Sequence, residues 1–566
     1  MAQLAHLSEG RSYHLVSGFF FCLGPISVWL LCWRWTRALW PSVLAAAFYG
    51  LLSPCSWLMP SIARDLQGYL FNQRLNVLAR YGEGPHLAAF ALLPLALLAV
   101  DWALERFTWR RAALAALACA AVPLSNTIGG FALAFGVLAI VAARGVSCVL
   151  PAIAIGFWAY LLALRWLPPV NLSDLSRNSQ MVGGIFPMDV WHYLLLACLA
   201  LVSVIAVVVI QKRNSVAAAF GFLLPMAIIP LAWEFTGFYF VPQPHRYHLE
   251  MDLGIAFLIA ACVANLPNAR VWSTGGLVAL SAFCLIAGRG LDRHIEPFKY
   301  EESWERRITR AMANHDPEAR VYFQGTPRFF AGVEFDQMQF GGGFLNGVKI
   351  PVFFLADYGI TSRRGEGPLT IAWLKALGVD YVAVGDEKTE NPFRSWQDPH
   401  QFDGLLTEVW REGGDAILEV RRANESLAHA IPKSALMLKT PVSYFEKDGL
   451  LRYVDALEGP ASNGGVLRWI HPSHAELDLH IRAGDAISVQ VAHDARWVAS
   501  VNGARWPIHK DGFGWIWIEP KATGDVTLTL EFHNPKVLFL IWGTAWLIFF
   551  GALWNFGLNE GRSLDP

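Results

Sequence analysis

Charge is scarce in this chain. Only 16% of its 566 residues are Asp, Glu, Lys or Arg, against about 25% in soluble domains. Hydrophobic residues make up 54%, and the mean hydropathy is +0.36. That balance excludes a wholly water-soluble protein. A formal net charge of −1 gives no case for nucleic acid as a partner, because no excess of basic residues is available for phosphates. Cysteine is sparse as well: Cys22, Cys32, Cys55, Cys119, Cys148, Cys198, Cys262 and Cys284 all fall in or beside apolar runs, and none lies within 290–535. No disulfide framework therefore holds that polar region, whatever its compartment. With no CxxC present, small buried hydrophobes are the plain reading of all eight. Patterns of the P-loop, HExxH and GxSxG kinds are absent too, which removes the chemistries those motifs carry. The first 13 residues are polar and contain Arg11. The apolar run after them is too long, and lacks the small-residue cleavage site, for a signal peptide.

Long apolar runs are what the chain has in quantity. They fall at about 14–33, 38–60, 87–104, 111–124, 127–143, 146–166, 191–211, 215–238, 252–266, 271–288 and 537–555, most of them near the ~20 residues a membrane helix needs. The pair 111–124 and 127–143 is short, and its break at Pro123, Ser125 and Asn126 fits a tight hairpin or a re-entrant turn. Arg34 and Arg37; Arg106, Arg110 and Arg111; Arg144; Lys212 and Arg213; and Arg270 occupy alternate connections. Basic loops of this kind face the cytoplasm. The connections 61–86, 125–126, 167–190, 239–251 and the region 290–535 then face outside. On this count residue 1 starts outside, so either the short N-terminus is translocated or a further helix precedes it.

The sequence thus predicts a polytopic α-helical membrane protein of about eleven transmembrane helices with an extracytoplasmic α/β plus β-sandwich region. Residues 1–289 are the multi-spanning part with about ten helices, and 536–566 are a final helix and short tail. Between them, 290–440 alternates helix and strand signals: a helix near 300–314, the strand Arg320–Gln324, a glycine turn at Gly341-Gly342-Gly343, a helix at about 368–377, the strand Tyr381–Val384, a short helix near 403–411 and the strand Ala416–Val420. From 441 to 535 the signal is all-β, with alternating runs at Ile487–Val491, Trp497–Val501 and Asp525–Phe532 and a hairpin signal at Asn502-Gly503. Trp497, Trp506, Trp515 and Trp517 could form a sugar-stacking platform, but their alternation favours a plain sandwich core.

The most unusual stretch is Arg64–His86, RDLQGYLFNQRLNVLARYGEGPH. It is a long connection between apolar runs and carries Arg64, Asp65, Arg74, Arg80, Glu83 and His86. Ionisable groups at a membrane surface are costly unless they meet each other, a cavity or a ligand, so this stretch reads as the polar rim of a site.

Tyr81-Gly82-Glu83-Gly84-Pro85-His86 followed by LAAFALLPLALLAVDWAL, with Ser53-Pro54 before it and PQPHRYHLE at 242–250, resembles bacterial multi-spanning proteins described as 6-pyruvoyl-tetrahydropterin synthase-related. The run ARWVASVNGARWPIHKDGFGWIWIEP resembles the end of YfhO-like membrane proteins. Both groups are similar to the GT-C superfamily of polyprenyl-phosphate-sugar-dependent glycosyltransferases. Pterin synthase chemistry needs a three-histidine zinc site, and His245 and His248 have no third histidine at ligand spacing. The GT-C pattern usually opens with a membrane helix and an external loop bearing one or two acids. This chain opens at what resembles the third helix, so both the charge topology and the resemblance imply sequence upstream.

The resemblance implies a bacterial inner-membrane enzyme that moves a sugar from a polyprenyl-phosphate donor to an envelope glycan or protein acceptor. Such transfer needs a carboxylate to accept the acceptor's proton, and cationic groups or a divalent metal to stabilise the leaving phosphate. Asp65 and Glu83 are the catalytic carboxylate candidates. Arg64, Arg74, His86, His245 and Arg246 are the phosphate and substrate candidates. Glu250 and Asp252, an E-x-D pair entering a helix, could bind Mg²⁺ or Mn²⁺. Each has a plainer alternative: a surface pair for Arg64–Asp65, a helix cap for Glu83–His86, interfacial anchoring for His245-Arg246, and first-turn acids for Glu250 and Asp252. Asn171, Asp174 and Arg177 read as an ordinary polar loop. The reading of a different class is a non-catalytic scaffold, or a transporter of lipid-linked glycan. It should depend on polar groups inside helices, and Asn126, Asn265 and His192 are the few at the ends of runs.

Overall fold

In the computed structural model of the chain, the described residues are 9–66, 72–210, 214–287, 300–343, 345–350, 352–362, 365–391, 394–460 and 462–560. Lys212 and Arg213, used above for orientation, and 67–71 of the polar stretch lie outside them. The chain divides into two compact units, one within Met1–Ser173, Ser179–Pro297 and Lys536–Pro566, the other within Asp174–Asn178 and Phe298–Pro535.

The first unit is helical. Among the described residues nine helices are long and apolar enough to cross a membrane: Gly10–Thr36, Gly84–Glu105, Thr127–Arg144, Val146–Ala163, Val190–Ile210, Ser215–Thr236, Pro244–Ala264, Ala269–Ile286 and Lys536–Trp554. A helix satisfies its own backbone polar groups, as hydrocarbon requires. The most apolar windows of Val190–Ile210, Ala269–Ile286 and Lys536–Trp554 are only 17%, 11% and 11% buried, leaving broad apolar faces that suit lipid and not water. The chain is a multi-pass membrane protein.

The run expected at 38–60 is not one helix. Leu39–Leu51 stops after 13 residues, and Cys55–Leu58 and Pro60–Asp65 are separate short pieces. Pro54 and Pro60 lack the N–H that a continuous helix needs, and the Asp252 carboxylate accepts the Cys55 N–H at 2.7 Å. The break near 125 is a tight turn: Trp109–Ser125 and Thr127–Arg144 are separated by Asn126, whose side chain accepts the Ile128 N–H at 2.9 Å. Ala112, Ala113, Ala115, Ala116 and Ala120 are buried on the first of these, the small-residue surface that lets membrane helices approach closely.

The basic loops are less plainly basic than the sequence reads. Arg34 bonds Asp101 at 3.0 Å and Glu105 at 2.6 Å, and Arg144 bonds the other oxygen of Asp101 at 2.7 Å. One buried acid on Gly84–Glu105 thereby ties that helix to Glu9–Thr36 and Thr127–Arg144.

The second unit holds three sheets. Strands β1 (Val321–Tyr322), β2 (Tyr381–Gly385), β3 (Thr407–Glu412) and β4 (Asp415–Glu419) form a four-stranded sheet in the order β1-β2-β4-β3, with only β1 and β2 parallel. The helix expected near 403–411 is mostly strand β3. Gly413, at φ +59°, and Gly414 fold it back onto β4 as a hairpin. The remaining strands are β5 (Ala428–Pro432), β6 (Asn463–Gly464), β7 (Val466–His471), β8 (His474–Ile481), β9 (Asp485–Ala492), β10 (Trp497–Val501), β11 (Ala504–Trp506), β12 (Ile508–Lys510), β13 (Trp515–Ile518) and β14 (Gly524–Phe532). They make two five-stranded sheets, β11-β10-β14-β8-β7 and β12-β13-β9-β5-β6. Asn502 and Gly503 both take positive φ at the β10–β11 turn, the conformation a two-residue hairpin favours.

Two features depart from the expected division at 440. Strand β5 lies before that boundary yet pairs with β9, and the helix Lys447–Glu458 stands inside the stretch read as all-β. That helix shares one core with Phe353–Ser362, Gly367–Ala376 and the tryptophans Trp515 and Trp517. Trp506, Trp515 and Trp517 are buried, and Trp497 is half-buried against Phe532, so the four act as core and edge packing instead of an open platform.

Candidate functional site

The motifs YGEGPH and PQPHRYHLE interlock, and each of their residues has a physical task. Gly82 takes φ +64° and turns the chain, and its carbonyl accepts the Tyr13 hydroxyl at 2.6 Å. Gly84 sits beneath Glu9–Thr36, where a Cβ would lie 2.5 Å from Ser17 Oγ and 2.6 Å from the Tyr13 hydroxyl. Pro85 occupies the first turn of Gly84–Glu105, where its missing N–H costs nothing. Between the glycines, Glu83 stands at the N-cap position without a side-chain cap bond. Its carboxylate instead accepts from Arg246 Nη2, a residue 163 positions away.

On the other side, Gln243 takes the left-handed conformation, with φ +53°. Its Nε2 donates to the Val182 carbonyl at 2.8 Å and its Oε1 accepts from Arg246 Nη1 at 3.0 Å. The guanidinium is thus aimed from one side and ion-paired on the other. Both Glu83 and Arg246 keep part of their surface open, with side-chain exposures of 31% and 24%. The pair is accessible.

Behind it lies a fully buried layer. His86 Nε2 and Glu250 Oε1 are 3.1 Å apart. Asp252 accepts from the Cys55 N–H at 2.7 Å and the Cys55 thiol at 3.0 Å. His248 Nδ1 faces its own segment's His245 carbonyl at 2.6 Å, while its Nε2 lies 3.3 Å from Gln73 Nε2. From Gln73 the chain of bonds continues through Asn76, at 3.1 Å, to Asp65, at 2.9 Å. Glu250 Oε2 is buried without a hydrogen-bond partner among the described residues, so this low-dielectric layer is only partly satisfied.

Asp65 closes the helix Pro60–Asp65 and also accepts from Arg80 Nη1 at 3.2 Å and from the Tyr81 hydroxyl. Burial, then the Asp65 carboxylate, push the Tyr81 hydroxyl up to about 12, so it remains a donor at neutral pH. Arg64 is exposed, its Nε 3.4 Å from the Pro60 carbonyl. His245 is half-buried.

The structure therefore joins Glu83 to Arg246 and His86 to Glu250, but does not gather every candidate on one spot. Arg74 contacts neither pair: it is buried, donates to the Phe21 carbonyl at 2.9 Å and stacks on Phe21 and Tyr49. Glu250 and Asp252 engage different partners, since residues two apart on a helix point in nearly opposite directions. They do not form one ion site, and among the described residues no three His, Cys, Asp or Glu side chains are placed to hold a metal. Asp174 and Arg177 are paired at 3.2 Å, and Lys349 pairs with Asp174.

Gln73, Asn76, Gln243 and Tyr13 escaped the sequence reading, and His248 was weighed there only as a metal ligand. Gln73 and Asn76 carry no charge, and a charge-based search passes over them. Glu234 also escaped, although an acid inside an apolar run was signal enough. Its carboxylate accepts the Ser61 N–H at 2.8 Å and the Ser61 hydroxyl.

No protein-family model matches the sequence, and no curated protein does. Among solved structures the chain is similar to the arabinofuranosyltransferase AftD from Mycobacteria, determined by single-particle cryo-electron microscopy, with 12% identity and a TM-score of 0.42 over 94% of this chain and 52% of that one. Two structures of a mutant of the same enzyme, again at 12% identity, give TM-scores of 0.41 and 0.39 over 94% of this chain and 54% of theirs. The chain spans about half the length of the solved structures it matches.

Proposed function

We propose that this protein is a GT-C-like glycosyltransferase that moves a sugar from a polyprenyl-phosphate donor to a cell-envelope glycan or protein acceptor. Glu83 accepts the acceptor hydroxyl's proton, and Arg246 takes the leaving phosphate. The observation that carries this reading is the Glu83–Arg246 pair itself, a partly open carboxylate and guanidinium at the ends of two apolar helices. A phosphate arriving at that level competes for Arg246, which binds it by charge-assisted hydrogen bonds. Its arrival frees the Glu83 carboxylate as a base beside the reacting centre. Gln243 keeps the guanidinium aimed, and the His86–Glu250 layer holds the start of Gly84–Glu105 in place. In this reading the protein lies in the bacterial inner membrane with its β-rich unit on the extracytoplasmic side.

The test is transfer of radiolabelled sugar from a panel of polyprenyl-phosphate pentoses and hexoses to envelope extract, with protein reconstituted in liposomes. Wild-type protein should transfer from at least one donor, and Glu83→Gln should transfer at least about 100-fold more slowly. Saturation of Asp65 by Asn76, Arg80 and Tyr81 favours one other reading, a non-catalytic scaffold of the same fold. There Glu83→Gln alters stability alone, and no donor is consumed.

A further inference from the structure

A patch on the second unit carries apolar surface that its own core does not use. Strand β7 is an edge of the sheet β11-β10-β14-β8-β7. It leaves Val466 56%, Trp469 38% and Ile470 62% exposed. The ladder pairs Trp469 with Ala475, Ala475 with Leu530 and Trp497 with Phe532, which sets Trp469 at the end of the sheet where β14 finishes. The rings of Trp469 and Trp497 are 6.1 Å apart, those of Trp497 and Phe532 are 5.1 Å apart, and Arg496 Cζ lies 4.4 Å from the centre of the Phe532 ring. The register of β7 on β8 shifts between Trp469 and His471, which leaves Ile470 out of the ladder.

Exposed apolar side chains grouped in this way mark a surface that meets something other than water. An edge strand could receive another strand, but a bulge breaks the row of N–H and C=O groups that strand would need. Chain continuity favours lipid instead. Lys536 opens the membrane-length helix Lys536–Trp554 and follows Phe532 by four positions, a path of at most about 14 Å. The carboxyl end of β14, and the Trp469–Trp497–Phe532 cluster with it, is thereby held close to a bilayer surface. Tryptophan suits that level, because its ring is apolar while its N–H still finds partners among headgroups and water.

We propose that this end of the sheet docks on the bilayer surface, with Trp469 and Ile470 inserted at the boundary between phospholipid headgroups and acyl chains. Such a contact holds the β-rich unit to the membrane at a point besides its covalent links. It does not depend on the glycosyl-transfer reading.

The test puts a photoactivated diazirine amino acid in place of Ile470 in the full chain, held in nanodiscs of phosphatidylethanolamine and phosphatidylglycerol. Asp525 is the control position. Its side chain is 94% exposed, and it stands seven residues from Phe532 along β14, about 23 Å away. After illumination, mass spectrometry of the digested protein should find phospholipid adducts at position 470. At position 525, where water quenches the carbene, the lipid adducts should be lost. If the chain with the probe at 470 fails to fold, the same comparison is made with the probe in place of Trp469. Quenching by water at the patch, adducts to peptide in place of lipid, or equal lipid labelling at the patch and at 525 would each overturn the proposal. Peptide adducts from a second copy or another protein would assign the patch to a protein partner.

Discussion

Removing Asp101 should loosen the membrane unit more than removing any other single acid on its helix. Its side chain is 8% exposed and holds Arg34 at 3.0 Å and Arg144 at 2.7 Å, from two other helices. Deleting one partner of a buried ion pair costs about 3–5 kcal/mol. Here the cost is smaller, because Arg34 keeps Glu105 at 2.6 Å and Arg144 is 26% exposed. About 2–3 kcal/mol is expected for Asp101→Ala, a fall in Tm of about 5 °C. Glu105→Ala should cost under about 1 kcal/mol, since that side chain is 46% exposed. The assay is thermal unfolding in lipid nanodiscs, completed by a double-mutant cycle of Asp101→Asn with Arg144→Met. A coupling above about 1 kcal/mol supports the clamp. Equal losses for Asp101→Ala and Glu105→Ala, or a coupling near zero, would refute it.

Other outcomes follow from the same geometry. Asp511 is buried, with Oδ1 accepting the Gly514 and Trp515 N–H groups at 2.9 and 2.7 Å while Oδ2 lacks a partner. Burial pushes this carboxyl up to about 7. The folded state then holds a proton that the unfolded state releases near pH 4, so stability falls as pH rises from about 4 to 7 and levels off above. Asp511→Asn should flatten that fall, seen by comparing unfolding at pH 5 and pH 8. Gly367→Ala should cost about 1–3 kcal/mol, because its Cβ would lie 2.0 Å from the Gln401 carbonyl oxygen; denaturant unfolding of the full chain measures it. Trp373→Ala should cost about 3–5 kcal/mol, since that ring is fully buried and its Nε1 donates to the Tyr444 carbonyl at 3.0 Å. A loss under about 1 kcal/mol would contradict the shared core.

The membrane architecture was legible because apolar runs of membrane length have few other uses. The rim was legible because Glu83, His86 and Arg246 are ionisable groups where such groups are rare. Their pairing was not, because the partners stand 163 and 164 residues apart and no local spacing encodes that. Asp101 was passed over as one acid in a long apolar run, and Arg34 and Arg144 were counted as loop charges when they are its partners. The broken helix after Leu51 was readable in Pro54 and Pro60, but hydropathy averaged over a window hides a proline. Strand β3 was mistaken for helix although Gly413-Gly414 marked the turn. Lys447–Glu458 carries a clear apolar stripe at helical spacing, Leu450, Val454 and Leu457, which the surrounding β signals obscured. Pairing of this sort is decided by tertiary packing, which local propensity does not reach.

The central claim is that Glu83 and Arg246 act together on a lipid-phosphate sugar. Its most direct test measures sugar transfer and thermal stability side by side for Glu83→Gln, Arg246→Met and the double variant. The account predicts that Glu83→Gln slows transfer by about 10²- to 10⁴-fold, while its Tm moves little for a partly exposed pair. The double variant should be scarcely slower than either single one, as for groups that act as a unit. Transfer near the wild-type rate in Glu83→Gln, with stability alone reduced, would contradict the account and leave the pair as a structural tie.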